Sequence, residues 1–246
     1  NYSLENIKNL YLSLRSKPFV IISGISGTGK TKIVQLFAES LDATEENRQF
    51  KLIPVRPDWS DGSELLGYKD ITGKIVEGQL TKMVREASME ENRDRPYFLL
   101  LDEMNLARVE YYFSDVLSIM ESRKKVNGIS TSAQLVPDID PLLTLPNNLY
   151  IIGTANMDET THPFSKKVLD RANTIEFNEI NLNHFGYLEQ TEEVEAVTCS
   201  NQSLEASLLN LKDCYDDHKD LIERVSKQLA KMNEILQEVN AQVGYR

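Results

Sequence analysis

Gly24-Ile25-Ser26-Gly27-Thr28-Gly29-Lys30-Thr31 fits the pattern G-x-x-x-x-G-K-[ST] at every position. The short apolar run before it, Phe19–Ser23, reads as a buried strand, and Lys30–Leu41 after it reads as a helix. Strand, glycine-rich loop and helix form the setting in which such a loop cradles phosphate. Glycine permits backbone angles closed to other residues, so successive N–H groups can converge on phosphate oxygens. The helix N-terminus adds partial positive charge. In that arrangement Gly24, Ser26, Gly27, Thr28 and Gly29 line the phosphates. Lys30 reaches the β- and γ-phosphates, and the Thr31 hydroxyl ligates Mg²⁺. The expected ligand is a nucleoside triphosphate with its metal.

Outward from the loop, strand and helix patterns alternate. Leu4, Ile7, Leu10, Tyr11 and Leu14 recur at helical spacing over residues 3–16, and Pro18 ends that helix. Phe50–Val55, Tyr97–Leu101, Leu149–Thr154 and Thr174–Phe177 read as further strands. Leu80–Ser88 and Val109–Ser122 read as helices. Residues 60–80 are rich in glycine and turn formers, and Pro137, Pro141 and Pro146 mark a second loop. The order predicts an α/β fold, a mostly parallel sheet flanked by helices, over residues 1–180. Residues 189–205 are polar and acidic and read as a connector. From 219 onward, Leu221, Ile222, Val225, Leu229, Met232, Leu236 and Val239 form a helical stripe, expected to face the core of a helical subdomain spanning 181–246. No internal repeat is evident.

Phe98-Leu99-Leu100-Leu101-Asp102-Glu103 is an apolar strand ending in two carboxylates. Adjacent side chains at a strand end diverge, so the two can take different tasks: Asp102 on Mg²⁺ or its water, Glu103 on the attacking water. Open α/β sheets bind ligands at the C-terminal ends of their strands. Ile151-Ile152-Gly153-Thr154-Ala155-Asn156 is a second such strand, ending in an amide able to reach both water and γ-phosphate, or simply to form a turn.

The 246 residues allow one large domain or a large and a small one, and 41% hydrophobic with 26% charged residues is ordinary for a globular protein. No apolar run reaches the length of a membrane span. The chain starts at Asn1 rather than Met and shows no signal peptide, so it reads as a piece of a longer protein, and a cytoplasmic setting is the expectation for a nucleotide-binding chain. A net charge of −11 argues against a general DNA-coating surface, although a local basic loop could still touch nucleic acid. Cys199 and Cys214 read as reduced, inert thiols. His162, His184 and His218 lack metal-ligand spacing, so no structural zinc is expected.

Together the phosphate loop, Asp102-Glu103-Met104-Asn105, Gly153-Thr154-Ala155-Asn156 and Leu169-Asp170-Arg171 resemble the AAA+ ATPases of the dynein/MoxR-related branch, most closely McrB-type restriction NTPases. The resemblance covers residues 3–180 well and 181–246 loosely. It implies an AAA+ P-loop fold with a C-terminal helical lid, here truncated, and a homo-oligomeric, usually hexameric ring with nucleotide between subunits. It further implies a finger arginine from the neighbouring subunit, with Arg171 the first choice and Arg108 the second. Gly244-Tyr245-Arg246 resembles a lid arginine that touches nucleotide. Residues 155–159 stand where the McrB signature M-N-x-x-D belongs, with Ala155 in place of Met and Glu159 in place of Asp. That departure leaves GTP or ATP open as substrate. In such rings the region of Trp59 and Tyr68 faces the channel; Trp59 is expected to pack instead. The implied function is a hydrolytic motor in a restriction or defence complex, acting on a McrC-like nuclease subunit, with DNA read by a separate domain. A MoxR-like chaperone ATPase and a non-hydrolysing nucleotide-dependent scaffold are the other two readings.

Overall fold

The computed structural model describes residues 2–126, 129–158, 161–178, 195–205, 211–239 and 241. The chain begins with α1 (Leu4–Ser16), whose N-cap Ser3 accepts a hydrogen bond from the Asn6 N–H at 3.1 Å. Its buried Leu10 and Leu14 lie one turn apart, and Pro18 prevents the helix from continuing. The chain then passes through β1 (Phe19–Gly24), α2 (Lys30–Ser40), β2 (Phe50–Pro54) and α3 (Ser63–Leu66). A hairpin of β3 (Gly67–Lys69) and β4 (Ile75–Glu77) precedes α4 (Gln79–Ala87). After β5 (Tyr97–Asp102), a 3₁₀ turn at Met104–Leu106 leads into α5 (Val109–Tyr112) and α6 (Ser114–Glu121). Two antiparallel pairs follow: β6 (Lys124–Val126) with β7 (Ile129–Thr131), and β8 (Gln134–Val136) with β9 (Asp140–Thr144). Then come β10 (Leu149–Asn156), α7 (Lys166–Leu169) and β11 (Asn173–Glu176).

Five strands form one parallel sheet in the order β11-β1-β10-β5-β2. Its middle strands are apolar at nearly every position because both faces are covered. Phe19, Ile21, Leu99, Leu101 and Ile151 turn to one core, with residues of α4, α5 and α6. Val20, Ile22, Phe98, Leu100, Tyr150 and Ile152 turn to the other, with residues of α1 and α2. Register brings the strand ends level: Gly24 pairs with Asn156, Gly153 with Leu101, and Pro54 with Asp102. The parallel sheet flanked by helices is the architecture expected.

Three expectations change. The helix read over Val109–Ser122 is two helices broken at Phe113, whose φ of −110° and ψ of 5° leave the helical region while its ring is buried. The stretches 60–80 and 123–146, read as loops, contain α3 and three hairpins, too short for periodicity to show. Residues 195–205 are not a free connector. Leu204 is 1% exposed, Asn201 accepts from the Tyr150 hydroxyl at 2.9 Å, and the Ser203 carbonyl accepts from Arg15 at 2.7 Å.

The chain divides into two compact units, Asn1–Ala206 and Ser207–Arg246. The second unit contains α8 (Leu211–Cys214) and α9 (Lys219–Glu238). The stripe expected to face a core runs along α9, but none of that helix's residues is buried. No helix among the described residues is long and apolar enough to cross a membrane.

Candidate functional site

The glycine loop joins β1 to α2. Gly27 and Gly29 take φ values of 82° and 88°, the left-handed region that disfavours a side chain. The Lys30 side chain folds back into the loop, its Nζ donating to the carbonyls of Gly24 at 3.0 Å and Ile25 at 2.7 Å. Burial lowers the Lys30 pKa, while the carboxylates of Asp102, Glu103 and Asp158 pull it upward. The Thr28 hydroxyl donates to the Ile25 carbonyl at 3.0 Å.

Two residues that nothing local in the sequence marks hold this loop from outside. The Tyr2 hydroxyl donates to the Gly29 carbonyl at 2.8 Å, and its ring lies 5.8 Å from that of Phe177. The Asn178 Oδ1 accepts from the Ile25 N–H at 3.3 Å. A Cβ on Gly24 would sit 2.3 Å from the Phe177 carbonyl oxygen, so the chain leaving β11 can close on the loop only because residue 24 is glycine.

At the neighbouring strand ends the Thr31 hydroxyl donates to Asp102 Oδ1 at 2.6 Å. The Thr154 hydroxyl donates to the same oxygen at 2.7 Å and accepts from the Glu103 N–H at 2.9 Å. Glu103 has φ 53°, a left-handed conformation rare for a residue with a side chain. Its Oε1 accepts from Asn156 Nδ2 at 3.0 Å. Thr31, Asp102, Glu103 and Asn156 thus meet at one end of the sheet, beside Lys30.

Asn105, 3% exposed, grips the backbone of Asn156 from both sides. Its Nδ2 donates to the Asn156 carbonyl at 2.8 Å and its Oδ1 accepts from the Asn156 N–H at 3.2 Å. Asn105 belongs to the acidic motif, but its grip on β10 was not legible from it. A Cβ on Gly153 would lie 2.3 Å from Met104 Sδ, so the buried methionine side chain would have to shift to admit one.

Arg171 and Arg108 make their contacts with other residues. Arg171 joins α6 to α7: Nε donates to the Leu117 carbonyl at 3.1 Å, Nη1 to the Lys167 carbonyl at 2.6 Å, and Nη2 pairs with the Glu121 carboxylate. Its side chain is 13% exposed. Arg108 is exposed just before α5, its Cζ 5.7 Å from the Tyr111 ring centroid. Glu159 and Arg246 lie outside the described residues. The Trp59 ring packs edge-on against Tyr112 at 5.2 Å, whereas Tyr68 on β3 is half-exposed.

The site therefore combines a lysine-bearing glycine loop, a hydroxyl–carboxylate pair suited to Mg²⁺, and a second carboxylate held by an amide. Residues 19–172 match the AAA domain of the dynein-related subfamily, and the chain belongs to that family. The E. coli (strain K12) type IV methyl-directed restriction enzyme EcoKMcrB subunit is 24% identical to it over 152 residues, covering 61% of this chain and 33% of that protein. The chain thus spans about a third of the length of that curated relative. Among solved structures, NtrX from Brucella abortus aligns at 16% identity with a TM-score of 0.43, covering 72% of this chain and 36% of that one. Its complex with ADP aligns over the same shares with a TM-score of 0.40.

Proposed function

We propose that this chain is a nucleoside triphosphatase, taking GTP or ATP with Mg²⁺, and that it works as the motor of a McrB-like restriction complex. The observation that carries the hydrolytic reading is the 3.0 Å hydrogen bond between Asn156 and Glu103, set beside the 2.6 Å contact of Thr31 with Asp102. A carboxylate held by an amide next to a hydroxyl–carboxylate pair suits activation of water at a bound γ-phosphate.

In this reading Gly24, Ser26, Gly27, Thr28 and Gly29 cradle the phosphates, and Lys30 neutralises the β- and γ-phosphates. Thr31 and Asp102 hold Mg²⁺, which when bound offsets charge on the phosphates. Glu103 accepts the proton of the attacking water, and Asn156 orients that water and the γ-phosphate. The site is completed across a ring interface by Arg171, or by Arg108, of a neighbouring copy. In sequence, Glu159 stands in the signature segment that follows Asn156.

The likeness to a restriction-enzyme subunit supports the restriction role, a cytoplasmic setting, and a partner resembling the McrC nuclease. The net charge of −11 suits a chain that supplies energy and assembly while a separate domain reads DNA. Steady-state hydrolysis of GTP and ATP, measured side by side, tests the reading. The Glu103→Gln variant should bind nucleotide as the wild type does and show no turnover. Turnover at the wild-type rate in that variant would overturn the role of Glu103. Absence of turnover in the wild-type chain, alone and with a candidate nuclease subunit, would favour a nucleotide-dependent scaffold.

A further inference from the structure

Thr154 is 2% exposed on β10, in a strand position where valine would fill the same space and suit the strand as well. A hydroxyl there has to find partners or lose stability. It finds two. Its proton goes to Asp102 Oδ1 at 2.7 Å, and a lone pair takes the Glu103 N–H at 2.9 Å. One oxygen atom therefore touches both members of the acidic pair, and Asp102 Oδ1 is shared with Thr31 at 2.6 Å.

The contact with Glu103 matters because its backbone is left-handed, at φ 53°. Such a conformation is unfavourable for a residue with a side chain and persists only where its surroundings determine it. The N–H bond to Thr154 is one such determinant, and it acts at the residue whose carboxylate must reach Asn156. Thr154 and Asn156 are two residues apart on the same strand and so lie on the same side of it. A single strand thus pins the Glu103 backbone with one residue and its carboxylate with the other.

We propose that Thr154 is a positioning residue for hydrolysis, which fixes Asp102 and Glu103 relative to one another through a single hydroxyl. This rests on the reading of the chain as a nucleoside triphosphatase. Thr154→Val removes the hydroxyl at constant volume, Thr154→Ala removes it without demanding extra room, and Thr154→Ser keeps it.

Valine and alanine should each lower kcat about 10- to 100-fold and raise the half-saturating Mg²⁺ concentration. The Kd for nucleotide measured without metal should stay within about twofold of wild type, since the phosphate loop is untouched. Serine should restore kcat. In the metal-free, nucleotide-free protein, the Glu103 amide should exchange with solvent about tenfold faster or more in the valine and alanine variants, and at the wild-type rate in the serine variant. Wild-type kcat in the valine or alanine variant, or a serine variant as impaired as they are, would overturn the proposal. Thermal destabilisation with unchanged kcat would likewise reduce Thr154 to a structural residue. A wild-type chain without turnover would instead defeat the hydrolytic reading, while unchanged Glu103 exchange would defeat this inference alone.

Discussion

Glu103 is the residue at which backbone and chemistry are most tightly joined. Its φ of 53° is one of three positive values at non-glycine residues among those described; the other two, Asp42 and Arg48, lie before β2. It is held by Thr154 at its N–H and by Asn156 at its carboxylate, while Asn105 holds Asn156 in turn. Gly24 carries a constraint of another kind. A methyl group there meets the Phe177 backbone oxygen at 2.3 Å, and a backbone atom cannot rotate away as a side chain can. Gly24→Ala should therefore cost about 1–3 kcal/mol of folding stability, as overpacking does. It should also weaken nucleotide binding, because the loop starts at that residue. Urea unfolding and a nucleotide titration check the two effects, and wild-type values in both would refute the constraint.

Between elements, Arg85 makes the clearest bridge. From α4 it donates to Glu77 at the end of β4 at 2.5 Å and to Asp140 at the start of β9 at 2.7 Å. The hydrogen bond from Arg85 holds the Asp140 carboxyl below the usual aspartate range, helped by the Leu142 N–H. A depressed folded-state pKa means that this contact contributes stability above the ordinary aspartate value and loses it as pH falls through the lower folded value. Arg85→Ala should move the Asp140 titration back up toward the ordinary value, read by carboxyl chemical shifts across an acid titration. An unchanged Asp140 midpoint would show that Leu142, not Arg85, sets it. Arg171 plays a similar part between α6 and α7. Losing its bonds to the Leu117 and Lys167 carbonyls and to Glu121 should cost about 1–3 kcal/mol. Arg108, exposed beside Tyr111, should cost much less when replaced by alanine. Urea midpoints of the two variants test that difference.

At the scale of the molecule, the proposed ring makes turnover a property of the assembly. Hydrolysis per chain should rise with protein concentration, and a flat profile would count against a shared site. Mixing Glu103→Gln chains with Arg171→Ala chains should recover turnover that neither shows alone, if Arg171 acts from the neighbour. Recovery with Arg108→Ala instead would transfer that role. The sequence by itself determined the parts that depend on contiguous residues. The phosphate loop is eight successive positions whose backbone geometry is dictated locally by glycine, and the buried parallel strands betray themselves as apolar runs with no alternation. That Asp102, Glu103 and Asn156 fall at strand ends was legible because a strand end is a local feature. Only tertiary structure decided what holds them. Thr31 meets Asp102 across 71 residues, Asn105 and Asn156 are 51 apart, and Asn178 reaches Ile25 over 153. Such contacts arise when parallel strands align their ends, and register between distant segments is set by two-sided core packing rather than by any one stretch of sequence. The same reason hid the role of Thr154 and the anchoring of Arg171, whose partners lie on other elements.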